Sequence, residues 1–189
     1  MDWAKWWYGL DGFIRLWRQQ RVCPSCGSRE SHGVDRKGFH RLLRCGECGL
    51  LYRWPYETQE EMQRFYQRAY QQKGLTTDLP DAATLKTLMQ TGFRGSSKDF
   101  SRVVELLQML SVKPGARILD FGANWGYGVW QLREAGLDAM GYELSQPRAA
   151  YSAHLGVEVL TDWSEVVQRG PFDVVFSSHV LEHTPDRSQ

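Results

Sequence analysis

The residues best suited to chemistry near the N-terminus are four cysteines, arranged as Cys23-Pro-Ser-Cys26 and Cys45-Gly-Glu-Cys48 with eighteen residues between the pairs. Two residues between thiols let both sulfurs face one ion from a tight turn. The Gly after each pair, Gly27 and Gly49, permits the left-handed backbone that aims amides at thiolates. Two such turns at opposite ends of a hairpin would present Cys23, Cys26, Cys45 and Cys48 as a tetrahedral set suited to Zn2+. Four thiolates leave no position open for water, so the zinc is expected to be structural and to stabilise a module too small to fold on its own core. Redox use would need one pair on a thioredoxin-like scaffold, which the pattern lacks. His32 and His40 are expected at the surface, because the cysteines already complete the shell.

The second chemical signal is Ile118-Leu-Asp120-Phe-Gly122-Ala-Asn124-Trp-Gly126-Tyr-Gly128. A hydrophobic strand ends in an acid, and a Gly-rich turn then leads into a helix. In an open α/β sheet, ligands sit at this carboxyl edge, where strand order reverses. Gly122 would let a ligand approach the backbone, Asn124 tolerates a left-handed conformation, and Gly126 would let the helix start close to the ligand. A dinucleotide fingerprint wants a small residue at position 127; here Tyr127 would crowd a pyrophosphate. Glu143, 21 residues after Gly122, stands where a carboxylate can accept from both hydroxyls of a ribose. A nucleoside without a pyrophosphate fits this pattern better than NAD.

The elements that position these groups can be read from periodicity. Residues 3–17 place Trp3, Trp6, Trp7, Leu10, Phe13, Ile14 and Trp17 on one helical face. This amphipathic aromatic helix, residues 1–20, is expected to dock on the neighbouring module; peripheral membrane contact is the alternative. The ribbon occupies residues 21–55. A helical linker region follows over 56–113: a Thr58–Glu61 capping box opening a helix through Tyr70, a short helix near Asp81–Gln90, and a helix from Ser97 burying Phe100, Val103, Val104, Leu107 and Leu110. From 114 to 189 strands and helices alternate. Strands are expected at Arg117–Phe121, Ala139–Glu143, Val157–Leu160 and Phe172–Ser177, with helices at Gly126–Ala135, Pro147–Leu155 and Trp163–Gln168, and another beginning at Val180. That alternation predicts right-handed βαβ units, hence an α/β fold with a parallel sheet of about four strands.

Composition bounds the function. The chain is 42% apolar, 24% charged and 13% aromatic, with eight Trp, a soluble globular profile rather than a disordered one. No segment approaches the roughly 18 apolar residues of a membrane span, and no signal-peptide cleavage site is evident. Clustered cysteines suit a reducing compartment, so a cytoplasmic protein is expected. Residues 1–53 carry ten Lys/Arg against five Asp/Glu, a weak footprint, so a nucleic-acid partner is not expected.

CPSCG, CGECG, the aromatic helix after Pro55, LDFGANWGYG, GYELS and FDVVFSSHVLEHTPD together resemble the class I S-adenosylmethionine-dependent methyltransferases. The likeness is greatest to a bacterial branch with an N-terminal four-cysteine zinc ribbon, and it covers roughly Val22–Asp186. It implies a chain using S-adenosyl-L-methionine to methylate a small-molecule or sugar-type acceptor. Asp120, Gly122 and Gly126, with Ala123 and Asn124 between them, would surround the methionine part. Glu143 would hold the ribose, with Leu144 beside it; Asp162 would meet the adenine amine and Trp163 its ring. Ser178 and His179 would line the methionine end. Asn124 replaces a usual Gly. A carbon or oxygen acceptor also needs a base, for which His179 and His183 are the nearest groups. By the same resemblance the α/β sheet is a partial Rossmann-like one in strand order 3-2-1-4, and a complete fold has seven strands. Four are expected here, which implies a fragment that binds the donor poorly or is inactive, its bare Phe172–Ser177 edge free to pair with another chain. The competing readings are a non-catalytic ribbon module that recruits a partner and, less favoured, an RNA methyltransferase.

Overall fold

Three short strands follow the first cysteine pair. β1 (Ser31–Lys37), β2 (His40–Cys45) and β3 (Leu51–Trp54) form an antiparallel sheet in sequence order. The computed structural model describes residues 16–57, 60–61 and 78–181. The described residues divide into two compact units, one ending at Glu61 and the other beginning at Asp78. Alternation along β2 and β3 turns Leu43, Cys45 and Tyr52 inward, where they meet Cys23 in a small core flanked by Leu50 and Trp54. Gln19 ties the entry of this unit to its exit: its side chain donates to Tyr56 O (3.1 Å) and accepts the Tyr56 N–H (2.9 Å). Of the expected aromatic helix only Leu16–Arg18 is described, as helical, and of the 58–70 helix only Glu60–Glu61; the rest of both lies outside the described residues.

The second unit begins with α1 (Ala82–Gln90), capped by Asp81, whose carboxylate accepts the Thr84 N–H at 2.7 Å. The next helix, α2, spans Ser101–Met109 rather than starting at Ser97. The side chain of Asp99 accepts the N–H groups of both Gly95 (2.8 Å) and Ser101 (2.9 Å), which holds the preceding residues in turns. Phe100, Val103, Val104 and Leu107 join the core as expected, but Leu110, the last-turn cap, is 66% exposed.

Beyond this helix come β4 (Arg117–Phe121), α3 (Tyr127–Glu134), β5 (Asp138–Tyr142), α4 (Gln146–Tyr151) with a 3-10 turn to Leu155, β6 (Val159–Leu160), α5 (Trp163–Arg169) and β7 (Val174–Ser177). All four strands are parallel, in order β6-β5-β4-β7. This is the predicted 3-2-1-4 arrangement, with the reversal of order at β4. The sheet is apolar on both faces because helices cover both. Ile118 packs with Val129, Leu132, Phe93 and Trp125 on one side, while Leu119 packs with Met140 and Val166 on the other. β7 is the edge strand among the described residues, and its Val175 is 61% exposed. The helix expected from Val180 reaches only Leu181 before the described residues end.

Candidate functional site

In the first unit the four cysteine sulfurs lie within 4.8 Å of one another. The closest cross pairs are Cys23–Cys48 (3.6 Å) and Cys26–Cys45 (3.5 Å). A tetrahedral zinc with bonds of about 2.3 Å needs sulfurs roughly 3.8 Å apart, so the donor set fits that ion. The two turns are built alike. Gly27 N–H donates to Cys23 O (3.0 Å) and Gly49 N–H to Cys45 O (3.2 Å), with φ of 75° and 73° at the glycines. The backbone amide of Cys48, with that of Glu47, lowers the Cys45 thiol to about 6, while at Cys26 the lowering by the Ser28 amide is outweighed by the hydrogen bond to Cys45 and by burial, which push it up to about 12. His32 is exposed and His40 lies against Phe39; neither joins the sulfur cluster.

In the second unit the loop from Gly122 to Gly126 leaves β4 and turns back across the end of β5. Gly122 and Ala123 both donate to Tyr142 O (2.8 and 2.9 Å), and Gly126 donates to Ala123 O (2.9 Å). Asn124 is left-handed (φ 55°), and its N–H donates to Glu143 Oε2 at 3.0 Å. A phosphate cradle works by offering bare backbone amides. Here the amides of 122, 123, 124 and 126 are already used, so the loop is not shaped for a pyrophosphate.

Glu143 points into this loop. Its other oxygen accepts the Ser145 N–H at 2.8 Å, so both carboxylate oxygens are oriented by backbone amides. Arg148 is buried alongside and donates to Asn124 Oδ1 at 2.6 Å. Burial raises the Glu143 carboxyl, opposed by the amides of Ser145 and Asn124 and by the Arg148 charge. Asp120 is 4% exposed, and no hydrogen-bond donor among the described residues reaches it. Burial, reinforced by repulsion from Glu143, pushes it up to about 7.

The Ala123 methyl lies in the core against Gly141, where an added Cβ would stand 2.6 Å from it; only the Ala123 backbone belongs to the loop. Protein packs closely against Gly126, where a Cβ would meet Val157 Cγ2 at 2.9 Å and Ser152 Cβ at 3.0 Å. At Gly122 a Cβ would collide with Val180, whose side chain crosses the glycine. The backbone of His179, left-handed at φ 56°, carries the chain from β7 to that contact. Ser178 and His179 are exposed, and Leu144 is half-buried. His183 lies outside the described residues.

At the same carboxyl edge Trp163 is 41% exposed and joins Phe121 and Tyr142. Their ring centroids are 5.6 and 5.3 Å from that of Trp163. Asp162 caps α5, its Oδ1 accepting from both the N–H (2.7 Å) and hydroxyl (2.8 Å) of Ser164, and these bonds hold its carboxyl low.

Sequence reasoning missed Lys98, Phe100, Arg148 and Val180 at this site. No local pattern pointed to Lys98 or Arg148; Gly122 marked the approach of Val180, and Gly128 that of Phe100. A Cβ there would stand 2.6 Å from the Phe100 ring and 2.8 Å from Asp120 Oδ2, so the last glycine of the loop marks a close approach.

No family model and no curated protein matches the chain. Among solved structures it is similar to magnesium protoporphyrin IX methyltransferase from Synechocystis PCC 6803 with bound SAM, at 17% identity and TM-score 0.45, over 66% of this chain and 64% of that one. It is also similar to a TehB-like SAM-dependent methyltransferase from Corynebacterium glutamicum, at 21% identity and TM-score 0.37, over 51% of this chain and 52% of that one. A third is a SAM-dependent methyltransferase from Geobacter sulfurreducens in complex with S-adenosyl-L-homocysteine, at 22% identity and TM-score 0.27, over 54% of this chain and 36% of that one. The chain thus spans less than two thirds of the length of each.

Proposed function

We propose that the second unit binds S-adenosylmethionine for methyl transfer to a small-molecule or sugar-type acceptor, and that the first unit holds one structural zinc through Cys23, Cys26, Cys45 and Cys48. The observation that carries the donor reading is Glu143: a buried carboxylate at the carboxyl end of β5, turned into the loop after β4 and held there by two amides. Its two oxygens match the paired hydroxyls of a ribose. The donor brings a methyl group on a sulfonium, a reactive group that needs little from the protein beyond position and field.

The other residues divide the remaining tasks. Asp120, buried without a hydrogen-bond donor, would face the donor's ammonium. Trp163, with Phe121 and Tyr142, would flank the adenine, and Asp162 would meet its amine through the oxygen that Ser164 leaves free. Leu144, Ser178 and the loop backbone would complete the walls. For a carbon or oxygen acceptor, His179 or His183 would take the proton. The thiol cluster supports a reducing compartment such as the cytoplasm, and the apolar edge of β7, unpaired among the described residues, would offer a place for another strand.

Titration calorimetry of the 189-residue chain with S-adenosylmethionine tests the donor reading. Binding in the micromolar range is expected, weakened tenfold or more by Glu143→Ala, since about 1.5–3 kcal/mol rests on hydrogen bonds to a charged group. An unchanged affinity in that variant refutes the ribose assignment. Absence of any heat from the unsubstituted chain favours a non-catalytic module. Metal analysis is expected to return one zinc per chain.

A further inference from the structure

Asn124 is left-handed in the loop after β4 (φ 55°), a conformation that glycine would adopt freely. Its side chain is accounted for by what the carboxamide holds. Asn124 Oδ1 accepts from Arg148 Nη1 at 2.6 Å, and the Asn124 N–H donates to Glu143 Oε2 at 3.0 Å. Arg148 stands in the first turn of α4, where its own N–H donates to Ser145 O (3.0 Å). The Ser145 N–H in turn donates to the other oxygen of Glu143 (2.8 Å). Arg148, Asn124, Glu143 and Ser145 therefore form a closed circuit that joins the loop, the end of β5 and the start of α4.

Packing alone does not explain an arginine at this position. Arg148 is 6% exposed, as buried as its neighbours Ala149 and Ser152. An apolar side chain would fill the same space without the cost of desolvating a guanidinium. What the guanidinium adds is a rigid, charged donor for Asn124 and a positive charge near the acid. That charge favours the ionised form of Glu143 against its burial, alongside the amides of Ser145 and Asn124. A carboxylate held at both oxygens can meet two hydroxyls at once, whereas one free to rotate loses part of that gain in ordering its side chain.

We propose that Arg148 is a positioning residue for Glu143: through Asn124 it fixes the loop amide that aims the carboxylate, and so sets how strongly this site prefers a ligand with both ribose hydroxyls. This rests on the donor reading above and adds the device that holds its central acid. Arg148 acts through Asn124 and touches no reacting atom, so its contribution is to selectivity for the sugar rather than to the chemical step.

The test measures, by titration calorimetry, the preference for S-adenosylmethionine over its 2′-deoxy analogue in the unsubstituted chain, Arg148→Met, Arg148→Lys, Asn124→Gly and the Asn124→Gly/Arg148→Met double variant. The unsubstituted chain is expected to bind the complete ribose about 10- to 100-fold more tightly, the range of a hydrogen bond to a charged group. Arg148→Met and Asn124→Gly cut one link at its two ends. Each should lower the preference to about threefold or less, and the double variant should fall no further. Arg148→Lys keeps a cation and a donor, and should recover much of the preference. Each ratio is taken within one protein, so incomplete folding of a variant does not alter it. If Arg148→Met leaves no measurable binding, the Asn124→Gly ratio decides alone. A full preference in the single variants, with both ligands weakened equally, overturns the positioning role while leaving the donor reading intact, as does a double variant that falls below either single one. An unsubstituted chain that binds both ligands equally, or neither, refutes the ribose assignment, and the role of Arg148 falls with it.

Discussion

The first unit buries little: Cys23, Leu43, Cys45 and Tyr52 make up its inner cluster, with two of the four being metal-type ligands. The sheet unit instead encloses Phe93, Trp125, Leu107, Ile118, Val129 and Leu132 in one continuous cluster, and Leu119, Met140 and Val166 in a second. Small modules seldom offset chain entropy through apolar burial alone, so a metal held by the four thiols would supply the stability that the small core of the three-stranded unit does not. The sheet unit can afford polar groups at its carboxyl edge, including a buried acid pair, because its apolar layers carry the fold. Chemistry that needs orphaned charge is thus found where the core is large.

Metal removal should separate the two units most sharply. Chelation, or Cys45→Ser, is expected to abolish folding of the ribbon, since zinc contributes about 10–16 kcal/mol of apparent binding energy in comparable sites. Hydrogen exchange would show amide protection lost across β1–β3 while β4 and β5, resting on their own core, keep theirs. Protected amides in β1–β3 of the metal-free protein would break the contrast.

The reverse perturbation is smaller. Phe93→Ala removes a fully buried ring that meets Trp125 and Trp130 and should cost the sheet unit about 3–5 kcal/mol. Denaturant unfolding followed by Trp fluorescence would measure it, with the zinc content unchanged. A loss below about 1 kcal/mol would mean the core is not continuous there.

The smallest effect concerns pH. Asp120 is raised to about 7 in the folded chain, above its unfolded value of about 3.9. Between those values the folded state holds more protons than the unfolded state, so stability falls as pH rises, by at most about 1.4 kcal/mol per pH unit. Asp120→Asn should remove that share of the slope. The sign reverses for the donor, whose ammonium prefers the ionised acid, so its affinity should rise from pH 6 to 8 in the unsubstituted chain and stay flatter in the variant. Parallel pH profiles would dissociate Asp120 from both roles.

Much of the site was legible because its signals are local. Two CxxCG runs each specify their own turn, and the strand–acid–glycine pattern around Asp120 dictates a reversal at the end of a parallel strand. The spacing to Glu143 follows from the length of one βαβ unit. Helix ends were harder. The α2 start moved from Ser97 to Ser101 because Asp99, not Ser97, captures the amides, and one-dimensional periodicity does not rank competing caps. Leu110 fits the apolar face yet lies past the last helical turn, where the period no longer applies.

The roles of individual glycines were not legible at all. Gly126 is small because Val157 and Ser152 approach it, Gly128 because Phe100 and Asp120 do, and Gly122 because Val180 crosses it. The residue type announces that something comes close but not what. The amino-acid order alone therefore determined the four-thiol turns, the parallel sheet and the acid facing the loop, all consequences of short-range geometry and of the handedness of βαβ units. Tertiary packing decided which amides remained free, which acid was left without a donor, and that Lys98 lies over the Tyr127 ring. Burial and charge neutralisation depend on contacts between segments far apart in the chain, and no local pattern encodes them.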